Sequence, residues 1–274
     1  MYRRFGARVT VVEYADRLIA REDEDLSRAV QDILAVAGIA FHLGVRDVAL
    51  PRASGGVRLA ARAHGEPITV EGSHLLLAVG RRPNTEPLDA QAAGLKLDER
   101  GFIPVDDRLR TDVPCIWALG DVNGRGAFTH TSYNDHEIVA ANLLDGDDRS
   151  LADRIPVYAL FTDPPLARIG INEAEARALG RPALRATLPM TRVGWAKERG
   201  ATLGFIKALV DRESQHILGA ALLCIEGDEI IHALLEVMAT RAPYTIVQRT
   251  MHIRPTVSEL LPTLLAVLQP LDST

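Results

Sequence analysis

Two carboxylates stand where a dinucleotide and a polyol are ordinarily held. Glu13 closes residues 8–13 (RVTVVE), a short apolar run that reads as a strand ending in an acid. An acid there accepts two hydrogen bonds from a ribose 2′,3′-diol, which selects NADH because a 2′-phosphate is repelled. Arg17 and Arg21 follow closely enough to soften that discrimination against NADPH. The alternative reading is a solvent-facing acid at a strand end. In a dinucleotide-binding βαβ unit the Gly-rich turn lies roughly 20 residues before the acid. Counting back from Glu13 passes Met1, so MYRRFG reads as part of the connecting helix, with Gly6 as its C-cap. The sequence is thus expected to begin partway through a cofactor domain.

The second acid is Asp121, which follows Gly120 at the end of the apolar run 116–119, read as a strand. Ligands in α/β sheets sit at the carboxyl ends of strands, and a glycine there lets a carboxylate come close to a polyol such as the ribityl chain of a flavin. The alternative is a plain turn aspartate.

Three blocks of differing pattern supply the elements that must position these acids. Residues 1–79 alternate strand, helix and strand. EDEDLSRAVQDILAVAG is read as a helix with acids in its first turn and Gly38 past its end. Residues 57–63 and 68–70 read as a hairpin, and 74–79 (HLLLAV) as a buried strand. Residues 80–150 centre on TDVPCIWALGDV, with an amphipathic helix expected over 133–144 and a boundary loop at DGDDRS. Residues 151–274 turn to an α+β pattern. VYALFT and ARIGI are strands there, and NEAEARALG is a helix capped by Asn172 with Glu175 three residues on. A hairpin is expected from 203–210 and 216–224, then a helix over 228–240 with Ile231, Leu234, Leu235 and Met238 on one face.

Bulk composition narrows the function classes. The 274 residues are 47% apolar and 24% charged with net charge −5, an ordinary globular mix with no Lys/Arg tract. Nucleic acid and membrane partners are therefore not expected. No charged-then-apolar leader follows Met1, and LLPTLLAVLQPL from Leu260 is too short and proline-broken to span a bilayer, so a cytoplasmic setting is expected. Cys115 and Cys224 each lie inside an apolar run and are expected to be buried free thiols. No metal site is expected.

Longer motifs sharpen this. Gly80-Arg81-Arg82-Pro83-Asn84, and about thirty residues later Thr111-Asp112-Val113-Pro114-Cys115-Ile116-Trp117-Ala118-Leu119-Gly120-Asp121, resemble the G-R-x-P-N and T-x-x-P-x-I-(Y/W)-A-x-G-D patterns of the pyridine nucleotide–disulfide oxidoreductases. That family includes dihydrolipoamide dehydrogenase, glutathione reductase and mercuric reductase. The resemblance implies that Asp121 with Gly120 binds the FAD ribityl group, and that Thr129 and His130 lie near the isoalloxazine edge at a helix start. Glu13, Gly80 and Arg81 then serve the nicotinamide cofactor, NADH or NADPH. It further implies an α/β fold with partial Rossmann-like domains: 1–79 the remainder of an NAD(P) domain, 80–150 the C-terminal part of an FAD domain. Residues 151–274 become an α+β dimerisation domain of a homodimer.

The last motif departs from the family. His252-Ile253-Arg254-Pro255-Thr256-Val257-Ser258-Glu259 is similar to H-x-H-P-T-x-x-E, but Arg254 stands where the family has its acid/base histidine. Guanidinium stays protonated and cannot cycle a proton, although it holds a thiolate or anionic substrate by charge. His252 matches the first, non-catalytic histidine. Glu259 orients the histidine in the family, yet Thr256-x-x-Glu259 is also a capping box that starts a helix, and capping with an Arg254–Glu259 ion pair is the reading preferred here. The family's C-x-x-x-x-C redox pair has no counterpart in this sequence. The expected function is hydride transfer from NAD(P)H to FAD and onward to a small-molecule acceptor, a disulfide or metal ion. Two alternatives stand beside it: transfer to a quinone, dye or oxygen without a thiol relay, and a truncated, inactive dimerising remnant.

Overall fold

The β-branched run Val9–Val12 forms β1, and after α1 (Glu24–Val36) the chain returns as β2 (Ile39–His42), paired parallel to β1 from Val9↔Ile39 to Val12↔His42. Parallel pairing requires a crossover, and α1 supplies it. Before β1, Tyr2–Phe5 makes a single helical turn closed by Gly6 at φ +91°, the left-handed C-cap expected from the sequence. Glu24 and Asp25 occupy the first turn of α1, while Leu26, Ser27 and Val30 are buried on one face. A three-stranded antiparallel sheet follows, ordered β3 (Val45–Ala49), β4 (Val57–Ala63), β5 (Glu66–Gly72). The β4–β5 pair is the hairpin read from its alternation.

The structure is a computed structural model and describes residues 1–271. Its chain divides into two compact units, one of Met1–Leu75 together with the chain from Pro156 onward, and one of Leu76–Ile155.

The larger unit is completed by a six-stranded antiparallel sheet. Its strands are β6 (Val157–Leu160), β7 (Leu166–Gly170), β8 (Ala183–Pro189), β9 (Phe205–Asp211), β10 (Ile217–Leu223) and β11 (Gln269–Pro270), in the order β11-β8-β9-β10-β7-β6. Every residue of β10 is buried. On one side α5 (Gly227–Ala239) buries Ile230, Ile231 and Leu234; each such side chain contributes about 1.5–3 kcal/mol relative to exposure. On the other, Leu26 and Val30 of α1 pack with Leu166, Ala221 and Leu223. The helix α3 (Glu173–Ala178) has the capping box read from sequence, Asn172 Oδ1 accepting from Glu175 N and Glu175 Oε2 from Asn172 N, both at 2.8 Å.

The smaller unit is mostly turns around one long helix, α2 (Thr129–Ala140), which continues as a wider turn over Ala141–Asp145. Short helices α4 (Gly194–Glu198), α6 (Thr245–Arg249) and α7 (Leu261–Leu265) close the larger unit.

Three expectations are corrected. Residues 74–79 form no strand and are not buried: Leu76, Leu77 and Val79 are 76%, 68% and 91% exposed. An apolar strand needs a ladder partner, and among the described residues none pairs with this run. Residues 116–119 likewise form no strand. Trp117 makes one isolated antiparallel bridge to Arg110, and across the Val113–Ile116 turn Thr111 N donates to Ile116 O and Ala118 N to Leu109 O, so the run folds back on residues 109–111 without extending into a ladder. The helix expected over 133–144 starts four residues earlier, at Thr129, because Thr129, Thr131 and Ser132 continue the helical backbone in spite of their low propensity.

Candidate functional site

Leu119 is extended and Gly120–Asn123 turns sharply after it. Gly120 takes φ +77°, which favours glycine, and a Cβ there would stand 2.7 Å from Ser132 Oγ, obliging that hydroxyl to turn away. The turn delivers Asp121 to a cleft of about 630 Å³ whose other wall is the first two turns of α2. Thr129, Ser132, Tyr133 and His136 line it, at spacings of three, four and seven that share one helix face. Arg81 reaches the same cleft, and its Nη1 donates to Asp121 Oδ2 at 2.6 Å. Both side chains are substantially exposed, so the pair orients the carboxylate more than it stabilises the fold. Arg81, assigned from sequence to the nicotinamide cofactor together with Glu13 and Gly80, thus meets Asp121.

His130, one residue along from Thr129, is not among the residues lining the cleft; its ring stacks on Phe128 with centroids 5.1 Å apart. Ser132, Tyr133 and His136 were missed in the sequence. Their signal was the i, i+3, i+4, i+7 spacing counted from Thr129, hidden while the helix was started at residue 133. Asp135 was also missed. It is buried on α2, and its Oδ2 accepts from Gly120 N at 2.8 Å and from Asn123 Nδ2 at 2.9 Å.

Glu13 follows directly on β1. Its N–H donates to His42 O, and its Oε1 accepts from Ala15 N at 2.8 Å. That bond fixes the carboxylate at the strand end through one of its two oxygens. Gly80 is exposed at φ +111° in the smaller unit, while Glu13 belongs to the larger.

In the C-terminal motif Thr256 Oγ1 accepts from Glu259 N at 3.2 Å, starting the turn Ser258–Leu260 that leads into α7. Arg254 Nε lies 3.9 Å from Glu259 Oε2, with the arginine 74% exposed. The threonine half of the capping box is therefore present, with a loose Arg254–Glu259 ion pair beside it. The His252 ring shares a 3.2 Å contact with Val247 O instead of facing Glu259.

The sequence matches two family models, one described as pyridine nucleotide-disulphide oxidoreductase over residues 1–135 and one as the dimerisation domain of the same family over residues 157–265. The chain belongs to the pyridine nucleotide-disulphide oxidoreductases. Within that family it is 37% identical over 262 residues to the probable pyridine nucleotide-disulfide oxidoreductase RclA of Escherichia coli, covering 95% of this chain and 58% of that protein. It is 32% identical over 259 residues to a dihydrolipoyl dehydrogenase of Haloferax volcanii, covering 94% of this chain and 54% of the relative. The solved structure of the HOCl-induced flavoprotein disulfide reductase RclA from E. coli superposes with a TM-score of 0.88 at 35% identity, over 97% of this chain and 60% of that one. The chain thus spans a little over half the length of the relatives it matches.

The two thiols of this family member differ in setting. Cys224 is buried after β10, and burial, then the Asp228 and Glu226 carboxylates, push its thiol up to about 12. Cys115 is exposed, against the expectation of burial, because it occupies the outer corner of the Val113–Ile116 turn at φ +64°. Among the described residues no helix is long and apolar enough to cross a membrane.

Proposed function

We propose that this chain carries the flavin-ribityl contact, part of the NAD(P) site and the dimerisation domain of an FAD-dependent NAD(P)H oxidoreductase. In that reading residues 1–79 belong to the NAD(P) domain, 80–150 to the FAD domain and 151–274 to the interface of a homodimer. Hydride passes from NAD(P)H to FAD and on to a small-molecule acceptor, a disulfide or metal ion. The supporting observation is the cleft that joins Asp121 to the start of α2.

The residues present suit an FAD. Asp121 offers an acceptor to ribityl hydroxyls, and the glycine beside it lets a polyol approach the backbone. The N-terminal turn of α2 puts its positive dipole end at the cleft, favouring negative charge there. Thr129 and Ser132 add hydroxyls on that wall. A flavin bound there supplies a reversible two-electron acceptor for hydride. Glu13 accepts the adenosine ribose hydroxyls of the nicotinamide cofactor, with Ala15 N–H holding its carboxylate in place. Arg254, 3.9 Å from Glu259 and largely exposed, supplies a permanent positive charge that holds an anionic acceptor or thiolate and leaves proton transfer to another group.

The reading is tested by titrating FAD into the flavin-free chain and following flavin fluorescence. Saturable binding, weakened at least about tenfold in Asp121→Ala, is expected for loss of a charge-assisted contact. Bleaching of the bound flavin by NADH in preference to NADPH tests Glu13. Absence of saturable flavin binding overturns the assignment.

A further inference from the structure

The cleft has two walls from separate pieces of chain, the Gly120–Asn123 turn and α2, and one buried side chain ties them together. Asp135 projects from α2, and its side chain is 3% exposed. Its Oδ2 accepts from Gly120 N at 2.8 Å, at the first residue of the turn, and from Asn123 Nδ2 at 2.9 Å, at the last. Asn123 Nδ2 also donates to Ala118 O at 3.0 Å, just ahead of the turn. The remaining oxygen, Oδ1, accepts from Arg154, whose Nε donates to Asn134 Oδ1 at 2.9 Å. The carboxylate thus meets three converging donors, one of them the partly buried Arg154 guanidinium.

We propose that Asp135 is the positioning residue of the flavin site: by gripping both ends of the Gly120–Asn123 turn from α2 it fixes Asp121 against Thr129 and Ser132. This rests on the flavin reading above. A buried carboxylate is a costly way to join a turn to a helix, and apolar packing joins such elements at no desolvation cost. What the carboxylate adds is direction. It stabilises the left-handed Gly120 by taking its N–H, so the Asp121 side chain that follows leaves the turn on the cleft side.

Asp135→Asn keeps size and removes the charge. Its single carbonyl oxygen cannot meet donors on both edges, so its amide must face either Arg154 or the pair Gly120 and Asn123. Two readouts are measured on the full chain: the FAD dissociation constant by fluorescence titration, and hydrogen exchange of the Gly120 amide without flavin. A thermal melt monitors the fold. The expected result is FAD binding at least about tenfold weaker together with lost Gly120 protection, while amides of β9 and β10 stay protected. Asn123→Ala removes one tie and keeps the Asp135 side chain, and about threefold weaker binding is expected; it serves if Asp135→Asn fails to fold. Flavin binding by the parent chain with unchanged affinity in these variants overturns the positioning role alone. Unchanged Gly120 exchange overturns it without reference to flavin. No flavin binding by the parent chain overturns the flavin reading, and this inference with it.

Discussion

The Lys207 ammonium lies 2.9 Å from Glu173 Oε1, with the lysine side chain 2% and the glutamate 7% exposed. Asp25 Oδ2 approaches the same nitrogen at 2.6 Å and Asp23 Oδ2 at 3.3 Å. Beside them Arg168 pairs with Glu22, which also accepts from the Tyr158 hydroxyl. Glu22 and Asp23 lead into α1, and Asp25 lies in its first turn. Lys207, Arg168 and Glu173 belong to β9, β7 and the start of α3 in the dimerisation domain. The cluster therefore fastens the start of α1 to that domain, next to the apolar contact of Leu26 and Val30 with Leu166 and Leu223.

Lys207→Met should be strongly destabilising. It removes the most buried cation of the cluster while Arg177 and Arg185 stay near Glu173 and Arg168 near Asp23, so the cost is expected at the low end for breaking a buried pair, about 3 kcal/mol. The urea midpoint is the measurement. The double variant Lys207→Met with Glu173→Gln should lose less than the sum of the two single changes. A single-variant loss under about 1 kcal/mol would show that solvent reaches the site.

Acid should weaken the same cluster. Burial pushes the Glu173 carboxyl upward, but Lys207, Arg185 and Arg177 more than offset it and hold the group below its ordinary value. Burial pushes Lys207 down, yet Asp25, Glu173 and Asp23 leave it raised. The depressed carboxyl adds stability above its unfolded pKa, about 4.3, that disappears as pH falls through the folded value. The raised lysine adds stability below its unfolded pKa, about 10.4, lost only as pH rises through the folded value. The stability gap between the parent chain and Glu173→Gln should therefore be level from about pH 5 to 10 and close below about pH 4. A gap that persists in acid would remove Glu173 from the acid response.

What could be read from sequence followed the strength of local signals. The Asn172–Glu175 capping box, the β4–β5 and β9–β10 hairpins and the amphipathic α5 carry their own periodicity or cap chemistry. Gly120-Asp121 was found through the motif, and the structure adds the cleft wall that the motif lacks. The failures share a cause. HLLLAV and IWAL have strand composition, but strand formation depends on a ladder partner supplied from elsewhere in the chain. Asp135 was invisible because its value lies in three donors from other segments. The Lys207 cluster joins residues up to 184 positions apart, beyond any local pattern.

The thiols should separate cleanly by reactivity. At about pH 8 an aromatic disulfide reagent should label one cysteine in the native chain and two in denaturant, since only the thiolate attacks. Cys115→Ser should abolish the native label. Burial, with Asp228 and Glu226 nearby, keeps Cys224 protonated, its thiol pushed up to about 12. Native labelling of Cys224 would show that β10 opens readily.

Cys115→Gly should stabilise the chain. Pro114 and Cys115 are the central residues of a turn in which Ile116 N donates to Val113 O at 3.3 Å, and Cys115 sits at φ +64°. Proline first with a left-handed residue second is the arrangement that favours glycine in the second place. A side chain in that region costs about 1–2 kcal/mol, whereas glycine adds about 0.5–1 kcal/mol of unfolded-state entropy. The net gain should be about 0.5–1 kcal/mol in a denaturant melt. Cys115→Ala is the control: it removes the thiol, keeps the Cβ and should gain nothing. An equal gain in both variants would place the strain in the sulfur's contacts and not in the backbone.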